Sequence, residues 1–240
     1  MAAASRHGKP QSQRQDLPKP RGVWPVIDIY CERTGPGLLA EPVNAITNLA
    51  FLLAALACWR LAGRQGVMSA DIRLLIALMA AIGIGSGLFH TFATGWSQLL
   101  DILPILLFQV AYLWIYGRRI IGMGTGWLVT SVVLLVGSSV YGRQFPDLLN
   151  GSLIYAPALV MLISLGTYHY RHANIQPALL LQATGVFLLS LTMRTMDQAV
   201  CPWLPMGTHY FWHLLNGLLV YLIVRGLLVN LPVTSRQKKI

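Results

Sequence analysis

Charged side chains make up only 11% of the 240 residues, less than half the share of an ordinary soluble domain, about 25%. With 55% hydrophobic residues and a mean hydropathy of +0.58, a water-soluble globule is excluded. The period-two alternation of a transmembrane barrel, roughly ten residues per strand, is missing as well, which leaves helices as the spanning element. The opening stretch MAAASRHGKPQSQRQDLPKPRGVW holds no apolar run. That excludes a cleavable signal peptide and predicts a disordered polar tail over 1–24. No internal repeat is visible, which speaks against a transporter of the inverted-repeat kind.

What is present is hydrocarbon in long blocks. A helix crosses the membrane core with about 20 apolar residues. The segments 43–62, 74–93, 99–117, 120–140, 149–168, 175–194 and 208–229 qualify. They predict an all-α membrane protein, a seven-transmembrane helix bundle filling one domain over 25–230, followed by a short basic tail over 231–240. Lys and Arg near span ends set orientation. Arg60, Arg64, Arg73, Arg118, Arg119, Arg171, Arg225, Arg236, Lys238 and Lys239 fall on one side, against Arg33, Arg143 and Arg194 on the other. The C-terminus is therefore expected in the cytoplasm and the N-terminus outside. Solvated basic ends beside anionic lipid heads account for the net charge of +10, and nothing points to nucleic acid. The acids show the reverse asymmetry. Asp16, Asp28, Glu32, Glu41, Asp101, Asp147 and Asp197 are expected on the outer side, and only Asp71 on the inner.

Two polar intrusions stand out against this background. The stretch GSGLFHTFATGWSQLLDILP, 85–104, places Ser86, His90 and Asp101 at the outer ends of the second and third spans. HYFWH, 209–213, opens the seventh span at the same depth. His209 and His213 are four residues apart and share a helix face, as do Ser86 and His90. Three imidazoles from two helices supply three corners of a zinc tetrahedron and leave the fourth open. A neighbouring carboxylate such as Asp101 can take a proton from water that zinc activates. The residues alone leave other readings open. A single intramembrane His is more often a hydrogen-bonded packing residue, and a pair four apart can cap interfacial water. Haem fits less well, because ligands on one helix face cannot sit on opposite faces of one iron. The glycines of GIGSG are read as close helix packing, and Pro104 and Pro177 as lying early in their helices, where a missing N–H costs little. His169 and His172 are read as interfacial residues at the cytoplasmic end.

At these motifs the sequence resembles the alkaline ceramidase family, part of a wider superfamily of seven-helix hydrolases that includes the adiponectin and progestin receptors. The family's GxGSxxFH reads here GIGSGLFH, its following Asp is Asp101, and its HxxWH reads HYFWH. The resemblance covers about residues 25–230. It implies zinc on His90, His209 and His213, with Asp101 orienting or deprotonating water and Ser86 stabilising the oxyanion. The implied reaction is hydrolysis of a ceramide-type amide to a sphingoid base and a fatty acid.

The segment DIYCERTGPGLLAEPVNAITNL is similar to the family's acidic segment, with counterparts at Asp28, Cys31, Glu32, Glu41, Asn44 and Asn48. The resemblance implies calcium near Asp28, Tyr30, Glu32, Thr34 and Glu41; the residues themselves are equally those of a solvated acidic loop. Here Tyr30 stands for a family Trp and Thr34 for a family Asn, and the spacings to Asp28 and Glu41 differ. DQAVC, 197–201, matches a further Asp and Cys. Cys31 and Cys201 both fall on the expected outer side, where a disulfide can persist, and the resemblance implies that they pair. Cys58, inside the first span, is read as a packing residue.

Two functions from different classes follow. One is a zinc-dependent lipid amidase acting on ceramide or another N-acyl membrane lipid. The other is a non-catalytic receptor or lipid-binding protein with a structural zinc. The compact chain also suits a bacterial inner membrane, where ceramide is often absent and a different N-acyl lipid would be the substrate.

Overall fold

A computed structural model describes residues 26–173 and 175–232. The polar tail expected over 1–24 and residues 233–240 of the basic tail lie outside the described residues. Among the described residues all regular structure is helical: α1 Pro42–Thr47, α2 Leu49–Arg64, α3 Ala70–Phe92, α4 Gly95–Tyr116, α5 Thr125–Gly142, α6 Ala156–His172, α7 Leu179–Val200 and α8 His209–Asn230. Seven stretches are long and apolar enough to cross a membrane. In the first, α1 and α2 run on as Pro42–Arg64; the third and fifth extend α4 and α6 to Gly95–Ile121 and Leu148–His172. Helices are what such sequence must form, because lipid offers backbone amides no other partner.

The seven expected spans are all present, with shifted ends. Behind α4 the chain widens into a π-helical turn, Gly117–Ile121, closed by Gly122 at φ 76°. The fourth span consequently starts at Thr125 and not at 120. Pro177 precedes α7, which begins at Leu179. Pro104 sits well inside α4, nine residues on from Gly95. It lies beyond the first turn, so its missing N–H does remove a helix hydrogen bond.

α8 is the most enclosed of the spans. It packs on α7 and α2, while α3 packs on α4 and α6 on α7. The α3–α4 junction is short. Ala93 closes α3 in the left-handed conformation, φ 48°, and Thr94 N–H donates to Ser97 Oγ (3.0 Å) in a capping box that starts α4. This turn makes the two helices antiparallel neighbours and puts His90 and Asp101 at the same end of the bundle.

The two ends of the bundle differ. One gathers the Arg119–Asp71 ion pair at 3.3 Å, the Tyr116 hydroxyl against His169 Nδ1 at 2.7 Å and Arg225 Nε on Gln176 Oε1 at 3.0 Å. His169 is fully buried there, a packed and hydrogen-bonded residue more than an interfacial one. The other end carries the Cys31–Cys201 disulfide and the polar intrusions in the spans.

Candidate active site

The histidines at the disulfide end of the bundle converge. His90 from α3 and His209 and His213 from α8 are all buried, and their available ligand atoms lie within 4.8 Å of one another. Ring centroids are 4.7 Å apart for His90–His213 and His209–His213, and 5.2 Å for His90–His209. His90 Nε2, His209 Nδ1 and His213 Nε2 are buried with no hydrogen-bond partner. Orphaned buried nitrogens are costly and uncommon, and three imidazoles that each carry one, with ligand atoms this close, have the donor set of a metal site.

The Nδ1 nitrogens of His90 and His213 are spoken for. His90 Nδ1 lies 2.5 Å from Glu41 Oε2, so it carries the proton and donates to the carboxylate. His213 Nδ1 lies 2.9 Å from Thr47 Oγ1. The Thr47 hydroxyl donates to Val43 O at 2.8 Å, which leaves it to accept from the imidazole. Both hydrogen bonds place the lone pair on Nε2, the arrangement by which a second partner orients a metal-binding histidine. Tyr30 stacks on His209 at a 3.7 Å centroid separation. Burial pushes the Tyr30 phenol well above its usual range, keeping it neutral.

Asp101 and Ser86 are brought together by the packing of α3 on α4. Gly85 is the contact: a Cβ there would run into Leu100 O and lie 2.7 Å from Leu100 C. Leu100 O is also the carbonyl four residues before Pro104, which has no N–H to offer it. The proline frees the carbonyl and the glycine makes room for it. The neighbouring Ser86 side chain thereby reaches the Asp101 carboxylate, with His90 and Arg194 in electrostatic range. Gly83 does the same toward the first span, where a Cβ would lie 2.9 Å from Asn48 O. Gly83 and Gly85 play the packing role read for the glycines of GIGSG, and Gly87 does not. Asp101 is half-buried and stands outside the group of histidine ligand atoms.

The start of α8 is anchored by Asp197, which is fully buried. Its Oδ1 accepts from Thr208 N–H (2.7 Å) and His209 N–H (2.9 Å), and its Oδ2 from Cys31 N–H (3.1 Å). A carboxylate on the first free amides of a helix is favourable. Here it also sets the depth of His209. Gly207, at φ 67°, passes so close to this carboxylate and to Cys31 Cβ that no side chain fits.

Glu32 and Glu41 of the acidic segment have their partners within the protein. Glu32 spends both oxygens on the start of α1, accepting from Val43 N–H (2.7 Å) and Asn44 N–H (2.8 Å). Glu41 binds Arg33 Nε (2.5 Å) through Oε1, and His90 and Asn44 Nδ2 (3.1 Å) through Oε2. Burial by itself would raise the Glu41 carboxyl, but the bonds from His90 and Arg33 hold it below its usual range. Thr34 and Asp28 are exposed. Among the described residues the histidine trio is the only group of three or more His, Cys, Asp or Glu side chains placed to share one ion.

Three contributors escaped the sequence reading. Thr47 is an ordinary helical threonine by sequence. Arg33 counted only as a charge near a span end. Glu41, which the resemblance offers to calcium, also holds His90 Nδ1. Arg194, noticed as an intrusion, lies over the rings of Tyr155 (5.3 Å) and Trp212 (5.7 Å) and donates to Asn150 O (2.8 Å) and Ser152 Oγ (2.9 Å).

From Trp212, the residue before His213, along α8 to Ile223 runs a cavity lined by Phe51, Ile82, Phe108, Tyr112, Phe187 and Leu219, with Gln109 and Asn216 among its polar members. At 1.5 Å per residue this stretch of α8 is about 16 Å long.

A family model described as Ceramidase matches residues 30–239 of the chain. No curated protein matches it.

Proposed function

The chain belongs to the ceramidase family, and from that premise we propose that it is a zinc-dependent intramembrane amidase, cleaving the N-acyl bond of ceramide or a related N-acyl lipid. The observation that carries the metal is the convergence of three buried imidazoles, ligand atoms within 4.8 Å of one another, each with a partnerless ring nitrogen. A nitrogen-only tetrahedral corner set suits zinc above the hard cations. When bound, zinc supplies Lewis acidity and makes water nucleophilic near neutral pH.

The chain's own groups then divide the work. His90, His209 and His213 would hold the ion, with Glu41, Tyr30 and Thr47 fixing their rings. Asp101 takes the proton that water loses as its oxygen bonds to the amide carbon. It passes that proton to the nitrogen as the C–N bond breaks, giving a free amine and a fatty acid. Ser86 donates to the carbonyl oxygen as negative charge develops there. Its hydroxyl is released for this once Asp101 has become protonated and is a poorer acceptor. The apolar cavity along α8 takes the acyl chain. Calcium on the acidic segment forms no part of this mechanism. The positive-inside rule puts the site end away from the cytoplasm, within reach of lipids of the outer leaflet.

The test is release of fatty acid from a panel of ceramides and other N-acyl lipids of graded chain length, by zinc-loaded protein in detergent. Turnover is expected for at least one amide, falling as the chain outgrows the cavity. Asp101→Asn is expected to lower kcat by about 100-fold or more, in line with loss of a positioned general base, with zinc content unchanged. Full activity in Asp101→Asn removes the proposed role. No turnover across the panel, with one zinc per chain, transfers the protein to the receptor or lipid-binding class.

A further inference from the structure

The segment between Cys31 and α1 contains a cation of its own. Arg33 is 2% exposed, an unusual depth for a guanidinium, and all its donors are directed inward. Nε meets Glu41 Oε1 at 2.5 Å. Nη1 donates to the carbonyls of Gly35 (3.3 Å) and Gly37 (3.4 Å). Nη2 donates to His90 O at 2.8 Å. A carboxylate oxygen and three backbone carbonyls are the hard oxygen donors that a calcium ion collects, and here one guanidinium collects them.

We propose that the Arg33 guanidinium is the built-in cation of the acidic segment, taking the place that the family resemblance gives to calcium, and that it positions His90 for metal binding. Donor supply supports the first half. Both oxygens of Glu41 and both of Glu32 are already engaged with Arg33, His90, Asn44 and the amides of α1. A divalent ion recruiting the same oxygens would meet a fixed positive charge within bonding range of Glu41, and like charges at such distances repel strongly in a buried site. Connectivity supports the second half. Arg33 holds Glu41 on one oxygen while Glu41 holds His90 Nδ1 on the other, and Arg33 also grips the His90 carbonyl. One side chain therefore fixes both the ring and the backbone of the α3 ligand. Arg33 touches none of the reacting atoms and is a positioning residue. Arginine suits the task because its planar fork bonds several acceptors at once, which a lysine cannot reproduce.

The experiment has two arms on full-length, detergent-purified protein. In the first, equilibrium dialysis with radioactive calcium on the wild type is expected to give no saturable binding up to about 1 mM, the weak end for extracellular calcium modules. Saturation at one calcium per chain overturns the proposal, and this arm needs no variant to fold. In the second, zinc affinity is read by competition with a chromophoric chelator. Arg33→Gln is expected to weaken zinc about 10- to 100-fold, the usual cost of losing an orienting partner, and Arg33→Lys to recover part of that loss. Wild-type zinc affinity in Arg33→Gln overturns the positioning role. The second arm rests on the zinc reading of the histidine trio. If the wild type takes up no zinc, that reading fails by itself, and the calcium arm still decides whether Arg33 fills the cation's place.

Discussion

Thr47 illustrates how much a single neutral hydroxyl decides at this site. It donates to Val43 O within its own helix, accepts from His213 Nδ1 and so selects the tautomer whose Nε2 faces the other two imidazoles. Thr47→Val keeps the branched shape and deletes the acceptor. Zinc affinity is expected to fall about tenfold with helicity unchanged, as read by chelator competition beside circular dichroism; unaltered affinity would show that ring packing alone orients His213. The individual histidines and Asp101 are visible in sequence because ionisable groups within a hydrocarbon block are costly and call for a reason. Thr47 carries no such signal. A helical threonine satisfies its own hydroxyl on the preceding turn, whether or not an imidazole arrives from a helix far along the chain.

At the scale of elements, the meeting of α3 and α4 decides whether Ser86 and Asp101 can cooperate. Pro104 strips Leu100 O of its helical donor, and Gly85 lets that carbonyl approach. Gly85→Ala would drive a methyl group into Leu100 and push the helices apart. Overpacking of this kind costs about 1–3 kcal/mol, and a displaced Asp101 is expected to lower kcat/KM roughly 10- to 100-fold. Gly87→Ala is the matched control, since the nearest atom to its Cβ would be Ala45 O at 3.8 Å. Equal activity in the two variants would refute the account of the crossing. The spans themselves were legible, being set by hydrocarbon length. Their ends were not, because the π-helical turn at Gly117–Ile121 and the late start of α7 depend on local backbone geometry that apolar composition does not encode.

On the scale of the whole molecule, the disulfide between Cys31 and Cys201 ties residues 170 positions apart. It clamps the acidic segment against the loop that leads into α8, and Asp197 adds hydrogen bonds to both sides of the junction. Cys31→Ser is expected to cost about 3 kcal/mol, lowering the thermal unfolding temperature. Reductant should shift the wild type in the same direction and leave a Cys31→Ser, Cys201→Ser double variant where it is. A wild type indifferent to reductant would mean that the hydrogen bonds of Asp197 hold the junction unaided.

The amino-acid sequence by itself determined the solvent of this protein, the number of its crossings and the identity of its metal-ligand candidates. Those follow from the free energy of apolar blocks in lipid and from residue spacings along single helices, both local quantities. The partners of the candidates were decided only when the helices packed. Glu41 reaches His90 across 49 positions and Thr47 reaches His213 across 166; Arg33 spans 57 positions to the His90 carbonyl. Which carboxylate meets which cation depends on crossing points such as Gly85 on Leu100 and on the disulfide clamp. An acidic segment to which the family resemblance gives calcium can therefore fold around a guanidinium of its own, because contact distances set the balance of buried charge and the order of residues does not.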